Sequence, residues 1–280
     1  MRASLPARPA CGRVRTVPQA SNPDLAWILD LHRRFAADLR PVRSRLRQLY
    51  RARCVPWRNR SLLHKLAARA VQPFLGPVGL QPRMLAQSDD EWCEILYLML
   101  RAEQPERVLE ISPFHGWSTC WILSALRDNG RGTLVSHDLI DASRQNVPAD
   151  LAEGRWQLAL GDARQQVAAD GAPVDFLLMD SDHSAEFARW YLATVLPRVR
   201  DGAIVCVDDV FHHADPALFD GEGPVVLDWL QRRGIPYFTC AKARNPTALN
   251  ALHGQKVALQ IADRIHTSDS NPAIVFRNRR

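Results

Sequence analysis

One strand–turn–helix pattern, at residues 107–119, constrains the fold of this 280-residue chain more than any other feature. The segment begins with an apolar run that carries Glu110 near its end. A loop containing Gly116 follows, and Ser118 and Thr119 then open a stretch with apolar residues at helical spacing. This pattern predicts a buried strand that turns tightly into a helix N-terminus. In α/β proteins that is a common place for an anionic or polar cofactor.

The acidic residue in this pattern favours a cationic ligand. A carboxylate at a strand tip repels a pyrophosphate but suits the sulfonium and amino groups of S-adenosylmethionine. The segment VLEISPFHGWST resembles motif I of the class I S-adenosylmethionine-dependent methyltransferases, E/D-x-G-x-x-x-G-x-S/T. Gly116 matches the second glycine, but Ser112 replaces the first, whose usual role is backbone freedom and close ligand approach. The resemblance implies a cofactor site formed by Glu110, Ser112, Gly116, Ser118 and Thr119.

Further strand patterns follow at the spacing expected of a doubly wound sheet. They lie at residues 132–138, 156–160, 173–180, 202–208, 235–241 and 273–277. We therefore predict an α/β, Rossmann-like methyltransferase fold, a three-layer sandwich around a mostly parallel seven-stranded sheet. The resemblance assigns Asp138, at the tip of the second strand, to the ribose hydroxyls of the cofactor, because a carboxylate can accept two hydrogen bonds. Asp162 follows the third strand and either caps the next helix or meets the adenine edge.

Acidic residues also end the fourth and fifth predicted strands, at Asp180 and at Asp208-Asp209. The carboxyl ends of parallel strands meet at one sheet edge, so these carboxylates would repel one another unless a hard cation such as Mg²⁺ is bound. The pattern D-S-D-H followed by D-D resembles the metal-dependent O-methyltransferases that act on catechols, caffeoyl thioesters and macrolide sugars. The resemblance implies that Asp180, Asp208 and Asp209 hold Mg²⁺ and that His183, beside Asp180, is the catalytic proton acceptor. A neutral imidazole can take a proton from a metal-activated hydroxyl near neutral pH.

The predicted reaction is methyl transfer to a hydroxyl of a small molecule or sugar, in a natural product or a glycan. A sugar is preferred because His183 fits the sugar-modifying members better than the lysine-bearing phenolic ones. Two alternatives stay open: an RNA methyltransferase steered by a basic extension, and a non-catalytic binding protein, for which Ser112 is the reason. His212 and His213 follow the second acidic pair and are left unassigned between pocket and solvent.

The N-terminal region has a different character. Residues 1–83 carry 16 arginines and one lysine against three aspartates, whereas the whole chain has a net charge of only +6. We predict a disordered leader at 1–22, a basic helical extension and linker at 23–83, and the methyltransferase domain at 84–280. An apolar helical stripe runs through the extension, and Pro41 is expected to split or kink the helix. The stripe comprises Ile28, Leu31, Phe35, Leu39, Val42, Leu46 and Leu49.

Three kinds of partner fit this stripe. We favour packing against the methyltransferase domain or a second subunit of a homo-oligomer. The alternatives are an anionic membrane surface and nucleic acid, the latter disfavoured because aromatic residues are sparse and no RNA-binding module is recognised. The chain has neither a span-length apolar run nor an apolar signal region. The expected location is therefore the cytoplasm, with peripheral membrane contact through the basic helices as the alternative.

Overall fold

The computed structural model describes residues 22–53, 84, 89–219, 221–266 and 268–279. Within this part of the chain, seven strands form one sheet in the order β3-β2-β1-β4-β5-β7-β6. The strands are β1 (Arg107–Ile111), β2 (Thr133–Asp138), β3 (Trp156–Leu160), β4 (Val174–Met179), β5 (Val199–Val207), β6 (Tyr237–Phe238) and β7 (Ile274–Arg277). Strands β1 to β5 are parallel, and β7 pairs antiparallel with both β5 and β6. The predicted Rossmann-like methyltransferase topology is confirmed.

Helices cover both faces of the sheet. They are α1 (Leu25–Arg53), α2 (Asp90–Glu103), α3 (Trp117–Asn129), α4 (Ala142–Asn146), α5 (Ala149–Ala152), α6 (Ala163–Ala169), α7 (Ala185–Thr194), α8 (Glu222–Arg233) and α9 (Pro246–Ala258). Side chains alternate along each strand, so Val108 belongs to the apolar core shared with α1, α2, α3 and α9, whereas Leu109 belongs to the core shared with α6, α7 and α8. Two apolar cores therefore flank the sheet and complete the three layers.

Helix α1 runs without interruption through Pro41, so of the predicted split or kink the split is wrong, and the kink stays a prediction. The proline removes one backbone hydrogen bond, but Leu39 and Val42 on either side of it are both buried in the core, and this burial holds the helix together. The stripe therefore packs against α2, α3 and α9, which is the arrangement we favoured. Among the described residues, no helix combines the length and the apolar content that a bilayer crossing requires.

The predicted element boundaries differ mainly at the ends of the chain. Strand β6 has only two residues, since only Tyr237 and Phe238 pair with β7. The polar stretch after it contains α9, which packs against α1 and thereby joins the extension to the domain. Residues 1–21 of the predicted leader (1–22) and residues 54–83 of the predicted extension and linker (23–83) lie outside the described residues.

Candidate active site

The loop between β1 and α3 follows a backbone path that normally requires glycine. Ser112, Phe114 and Gly116 all have positive φ, at 63°, 47° and 86°. Ser112 therefore adopts the left-handed conformation that the first motif glycine would supply, at a cost of about 1 kcal/mol. Its amide donates to the carbonyl of His137 at 2.8 Å, which ties the loop to β2. The serine replacement thus preserves the backbone path of the motif.

Gly116 occupies the N-cap position of α3, where a side chain has no room. A Cβ atom there would lie 2.8 Å from Cγ2 of Val147 and 3.2 Å from Cβ of Ser143. Close packing and a positive φ together explain why Gly116 is a glycine, although the first glycine of the motif is replaced by Ser112.

The predicted cofactor residues Glu110, Ser118 and Thr119 form an internal network. The Glu110 carboxylate accepts hydrogen bonds from Ser118 Oγ at 2.7 Å, Thr119 Oγ1 at 2.9 Å and Ser136 Oγ at 2.6 Å. Burial raises the pKa of Glu110, while these three hydroxyl donors favour its charged form. Glu110 therefore anchors the first turn of α3 to β1 and β2, and its direct contact with a cofactor stays a prediction.

Asp138 and Asp162 lie at the tips of β2 and β3 but differ in their partners. Asp138 accepts one backbone bond per oxygen, from Phe114 at 2.8 Å and Ile140 at 3.1 Å. A carboxylate has about four lone-pair positions, so acceptor capacity remains for the ribose hydroxyls of a cofactor. Asp162 caps α6 by accepting the Arg164 amide at 2.8 Å, and the Arg164 guanidinium lowers the pKa of this carboxyl. Of the two roles considered for Asp162, the structure shows the cap.

A cavity of about 440 Å³ brings the motif I loop together with the tips of β4 and β5. The Asp180 amide donates to the carbonyl of Ile111, and the Asp208 amide donates to that of Met179, so the three strand ends lie side by side. The cavity is lined by Ser112, Phe114, Asp180, Ser181, His183, Asp208, Asp209 and His212. The predicted convergence of these acids at one sheet edge is observed.

Two of the three predicted metal ligands group with His183. Ligand atoms of Asp180, His183 and Asp209 lie within 4.8 Å of one another, and within the described residues this group does not include Asp208. His183 Nε2 is 3.3 Å from Asp209 Oδ2 and 3.8 Å from Asp180 Oδ1. Asp208 lines the same cavity, but its Oδ1 accepts the amide of Asp209 at 2.9 Å. Asp208 therefore stabilises the turn that presents Asp209.

The electrostatics of the cavity favour a cation. Burial and the nearby Asp209 carboxylate raise the pKa of Asp180 to about 7, and burial together with Asp180 raises the pKa of Asp208. Burial disfavours a charged His183, but the carboxylates of Glu222, Asp209 and Asp180 outweigh it and raise the His183 pKa to about 9. An oxygen-rich group with this excess of negative charge fits Mg²⁺.

Two residues that the sequence did not assign complete the site. Glu222, the first residue of α8, has Oε2 2.8 Å from His183 Nδ1, although the two residues are 39 positions apart. His212 Nε2 lies 2.8 Å from Asp209 Oδ1, while His213 is exposed. A glutamate in a first helical turn is so common that no local signal distinguishes Glu222.

Comparison with known proteins agrees with this geometry. Residues 109–210 match the family model described as a methyltransferase domain. A catechol O-methyltransferase from Mycobacterium tuberculosis is 28% identical over 120 residues, which cover 42% of this chain and 54% of that protein. A catechol O-methyltransferase from Niastella koreensis is 27% identical over 125 residues, covering 42% and 55%. The chain thus spans about half the length of these curated relatives.

Structural similarity extends further along the chain than sequence similarity. The cofactor-bound crystal structure of Rv0187 from MTB superposes with a TM-score of 0.50 at 18% identity, covering 78% of this chain and 91% of that one. At this identity the likeness shows the fold alone. Residues 109–210 therefore resemble a methyltransferase domain, and the chain is similar to the S-adenosylmethionine-dependent O-methyltransferases.

Proposed function

We propose that this protein is an S-adenosylmethionine-dependent O-methyltransferase that uses Mg²⁺ and acts on a hydroxyl of a small molecule or sugar. The observation that carries the proposal is the shared cavity, in which the motif I loop faces Asp180, His183 and Asp209. A cofactor on the loop would lie beside an acceptor held at the carboxylates. Such proximity converts an encounter of two substrates into a reaction within one complex.

The chemistry requires a methyl donor site, a cation site and a proton acceptor. The reaction breaks the sulfur–carbon bond of the sulfonium, forms an oxygen–carbon bond and releases the hydroxyl proton. Mg²⁺, when bound, would supply positive charge that lowers the pKa of the acceptor hydroxyl. Asp180 and Asp209 would hold that cation. His183 Nε2 lies 3.8 Å and 3.3 Å from these carboxylates. A cation held there would offset the negative charge that raises the His183 pKa to about 9, and the neutral imidazole would then be placed to take the proton.

A vicinal diol is the proposed acceptor class, because two adjacent oxygens can reach one cation together. The two curated relatives are named catechol O-methyltransferases, which supports a small diol. Our preference for a sugar over a catechol rests on His183. Asp138, with one backbone bond to each oxygen, is the proposed partner of the cofactor ribose.

Calorimetric titration of S-adenosylhomocysteine, with Mg²⁺ and again with chelator, tests the cofactor site. We expect micromolar binding, followed by methyl transfer to a diol from a panel of catechols and sugars only when Mg²⁺ is present. Equal turnover rates with Mg²⁺ and with chelator would contradict the proposed Mg²⁺ dependence. An absence of S-adenosylhomocysteine binding under both conditions would favour the non-catalytic alternative.

The structure gives the two alternatives less support. Arginines of α1 contact the chain itself: Arg45 pairs with Asp150, Arg47 with Asp263, and Arg53 donates to the carbonyl of Asn146. These arginines therefore hold α1 against the rest of the chain, and RNA binding would need other basic residues. Steeply salt-dependent RNA affinity would revive that alternative. Ser112 keeps the glycine-like backbone, which weakens the argument for a non-catalytic protein.

A further inference from the structure

His183 is held on its inner side by a buried carboxylate. His183 Nδ1 lies 2.8 Å from Glu222 Oε2, and the amide of Glu222 donates to the carbonyl of His183 at 2.8 Å. The other carboxylate oxygen, Oε1, accepts the hydroxyl of Tyr191 at 2.8 Å. The three residues come from the β4–α7 loop, α7 and the first turn of α8, so the contact joins three separate elements.

We propose that Glu222 is a positioning residue that keeps a proton on His183 Nδ1 and directs Nε2 into the cavity, with Tyr191 fixing the carboxylate. The inference rests on the proposed function, in which His183 accepts the hydroxyl proton. Glu222 acts only through His183 and is not itself placed to touch a substrate.

The hydrogen-bonding capacity of the groups determines the tautomer. A carboxylate only accepts, so the nitrogen that faces it must donate. When the ring is neutral, its single proton therefore stays on Nδ1 and its lone pair lies on Nε2. Nε2 is the atom that lies 3.3 Å from Asp209 and 3.8 Å from Asp180. A third group that orients the base is the usual arrangement around a histidine that moves protons.

The surroundings make this contact rigid. Glu222 is 3% exposed and Tyr191 is fully buried, so neither hydrogen bond competes with bulk water. His183 has a φ of 50°, an uncommon conformation for a residue with a side chain, and the backbone bond from Glu222 helps to hold it. The ring of Phe219 lies 5.8 Å from the His183 ring. The imidazole is thus confined in orientation as well as in tautomer.

The test combines spectroscopy with kinetics on the full chain. Protein labelled with ¹⁵N-histidine would be compared as wild type, Glu222→Gln, Glu222→Ala, Tyr191→Phe and a control, Glu186→Gln. Glu186 is an exposed glutamate, 87% accessible, at the start of the neighbouring helix α7. A His183→Gln variant assigns the signals. Glu222→Gln preserves the side-chain volume and serves where the alanine variant fails to fold.

In the wild-type spectrum we expect a downfield signal from the proton on His183 Nδ1. Glu222→Ala should lose this signal while its melting temperature stays that of the wild type. With the best acceptor, both Glu222 variants should lower kcat by about 10–100-fold while KM for S-adenosylmethionine stays the same. Tyr191→Phe should give a smaller fall in kcat, and Glu186→Gln none.

Persistence of the Nδ1 signal in Glu222→Ala, or a kcat in both Glu222 variants equal to that of Glu186→Gln, would overturn the inference. The spectroscopic result decides the positioning role even if the wild type methylates no acceptor. A wild type that methylates no acceptor would count against the proposed function and not against the Glu222–His183 contact.

Discussion

Two groups of charged side chains in the described part of the chain, one buried and one half-buried beside a cavity, differ in charge balance. The clamp cluster, formed by Arg43, Glu91, Glu94 and Lys256, lies between α1, α2 and α9. Lys256 Nζ is 2.9 Å from Glu94 Oε2 and 3.5 Å from Glu91 Oε1, and Arg43 pairs with Glu94. The acidic pocket, formed by Asp180, His183, Asp208 and Asp209, lies at the tips of β4 and β5.

In the clamp cluster each cation lies against a carboxylate, with Asp263 as a further partner of Arg43, and the four side chains of the cluster are at most 3% exposed. With Glu222 and His212, which complete the site, the acidic pocket has four carboxylates for two imidazoles and opens onto a cavity of about 440 Å³. Charges inside a closed interface must be paired, because a buried charge left without its partner is strongly destabilising. Unbalanced charge beside a cavity indicates a binding site, because a ligand must supply the missing charge. The clamp cluster therefore fits a structural role, and the acidic pocket is the proposed binding site.

The largest expected effect is on turnover. His183→Ala should lower kcat by about 10²–10⁴-fold, the usual range for loss of a general base, and leave S-adenosylhomocysteine affinity nearly unchanged. Steady-state kinetics and calorimetry on the same samples check it. His213→Ala, at an exposed histidine nearby, is the control. Wild-type turnover in His183→Ala would assign proton transfer to another group.

In the clamp cluster the same logic predicts a loss of stability. Glu94→Gln removes the charge that Arg43 and Lys256 share and leaves two buried cations underbalanced, at a cost of about 3–5 kcal/mol. Urea denaturation measures the free energy of unfolding. Asp30→Asn breaks an exposed pair with Arg33 and should cost less than about 1 kcal/mol. Equal losses in the two variants would contradict the assignment of a buried, balanced cluster.

Acid should lower the free energy of unfolding through His32, which lies on α1 near the clamp cluster. Burial lowers the pKa of His32 to about 4, from 6.5, with Lys256 and Arg43 adding to the effect. The unfolded chain binds this proton more readily, so stability is present above pH 6.5 and is lost as the pH falls towards 4. The loss should reach about 3 kcal/mol. His32→Gln should show a flatter decline over this range, and identical slopes would refute the prediction.

In the acidic pocket, neutralising a charge should have the opposite sign from Glu94→Gln. Asp180→Asn removes repulsion with Asp208 and Asp209, so in chelator it should raise the free energy of unfolding by about 1 kcal/mol. The same variant should lose Mg²⁺-dependent turnover. Thermal melts in chelator test the stability, and turnover assays with and without Mg²⁺ test the activity. A less stable Asp180→Asn protein would show that the pocket is balanced by its own residues.

The smallest effect is expected at the motif I loop. Ser112→Gly removes the backbone strain of a serine with positive φ but raises the conformational entropy of the unfolded chain. These two effects oppose each other, so the free energy of unfolding should change by less than about 1 kcal/mol. Affinity for S-adenosylhomocysteine should stay within about threefold, since the backbone already has the glycine-like conformation. A tenfold gain in affinity, measured by calorimetry, would show that the serine Cβ obstructs the cofactor.

Local patterns were enough to predict much of this molecule. The strands from β1 to β5 were found because apolar runs bounded by turn residues depend on a few neighbouring positions. The convergence of Asp180 with Asp208 and Asp209 followed from the rule that parallel strands end at one sheet edge. The continuous α1 was missed because the burial that offsets Pro41 is supplied by helices far along the chain.

The sequence by itself determined the order of strands and helices, the motif I loop and the acidic strand tips, since each depends on residues close together in the chain. Tertiary structure decided which charges are balanced. Arg43 meets Asp263 across 220 positions, and His183 meets Glu222 across 39, so both contacts depend on how intervening loops return to the sheet. Tertiary structure likewise turned Glu110 inward, because three hydroxyls from α3 and β2 surround its carboxylate there. Hydrogen bonds and ion pairs act over a few ångströms, and only the folded path of the chain brings distant residues within that range.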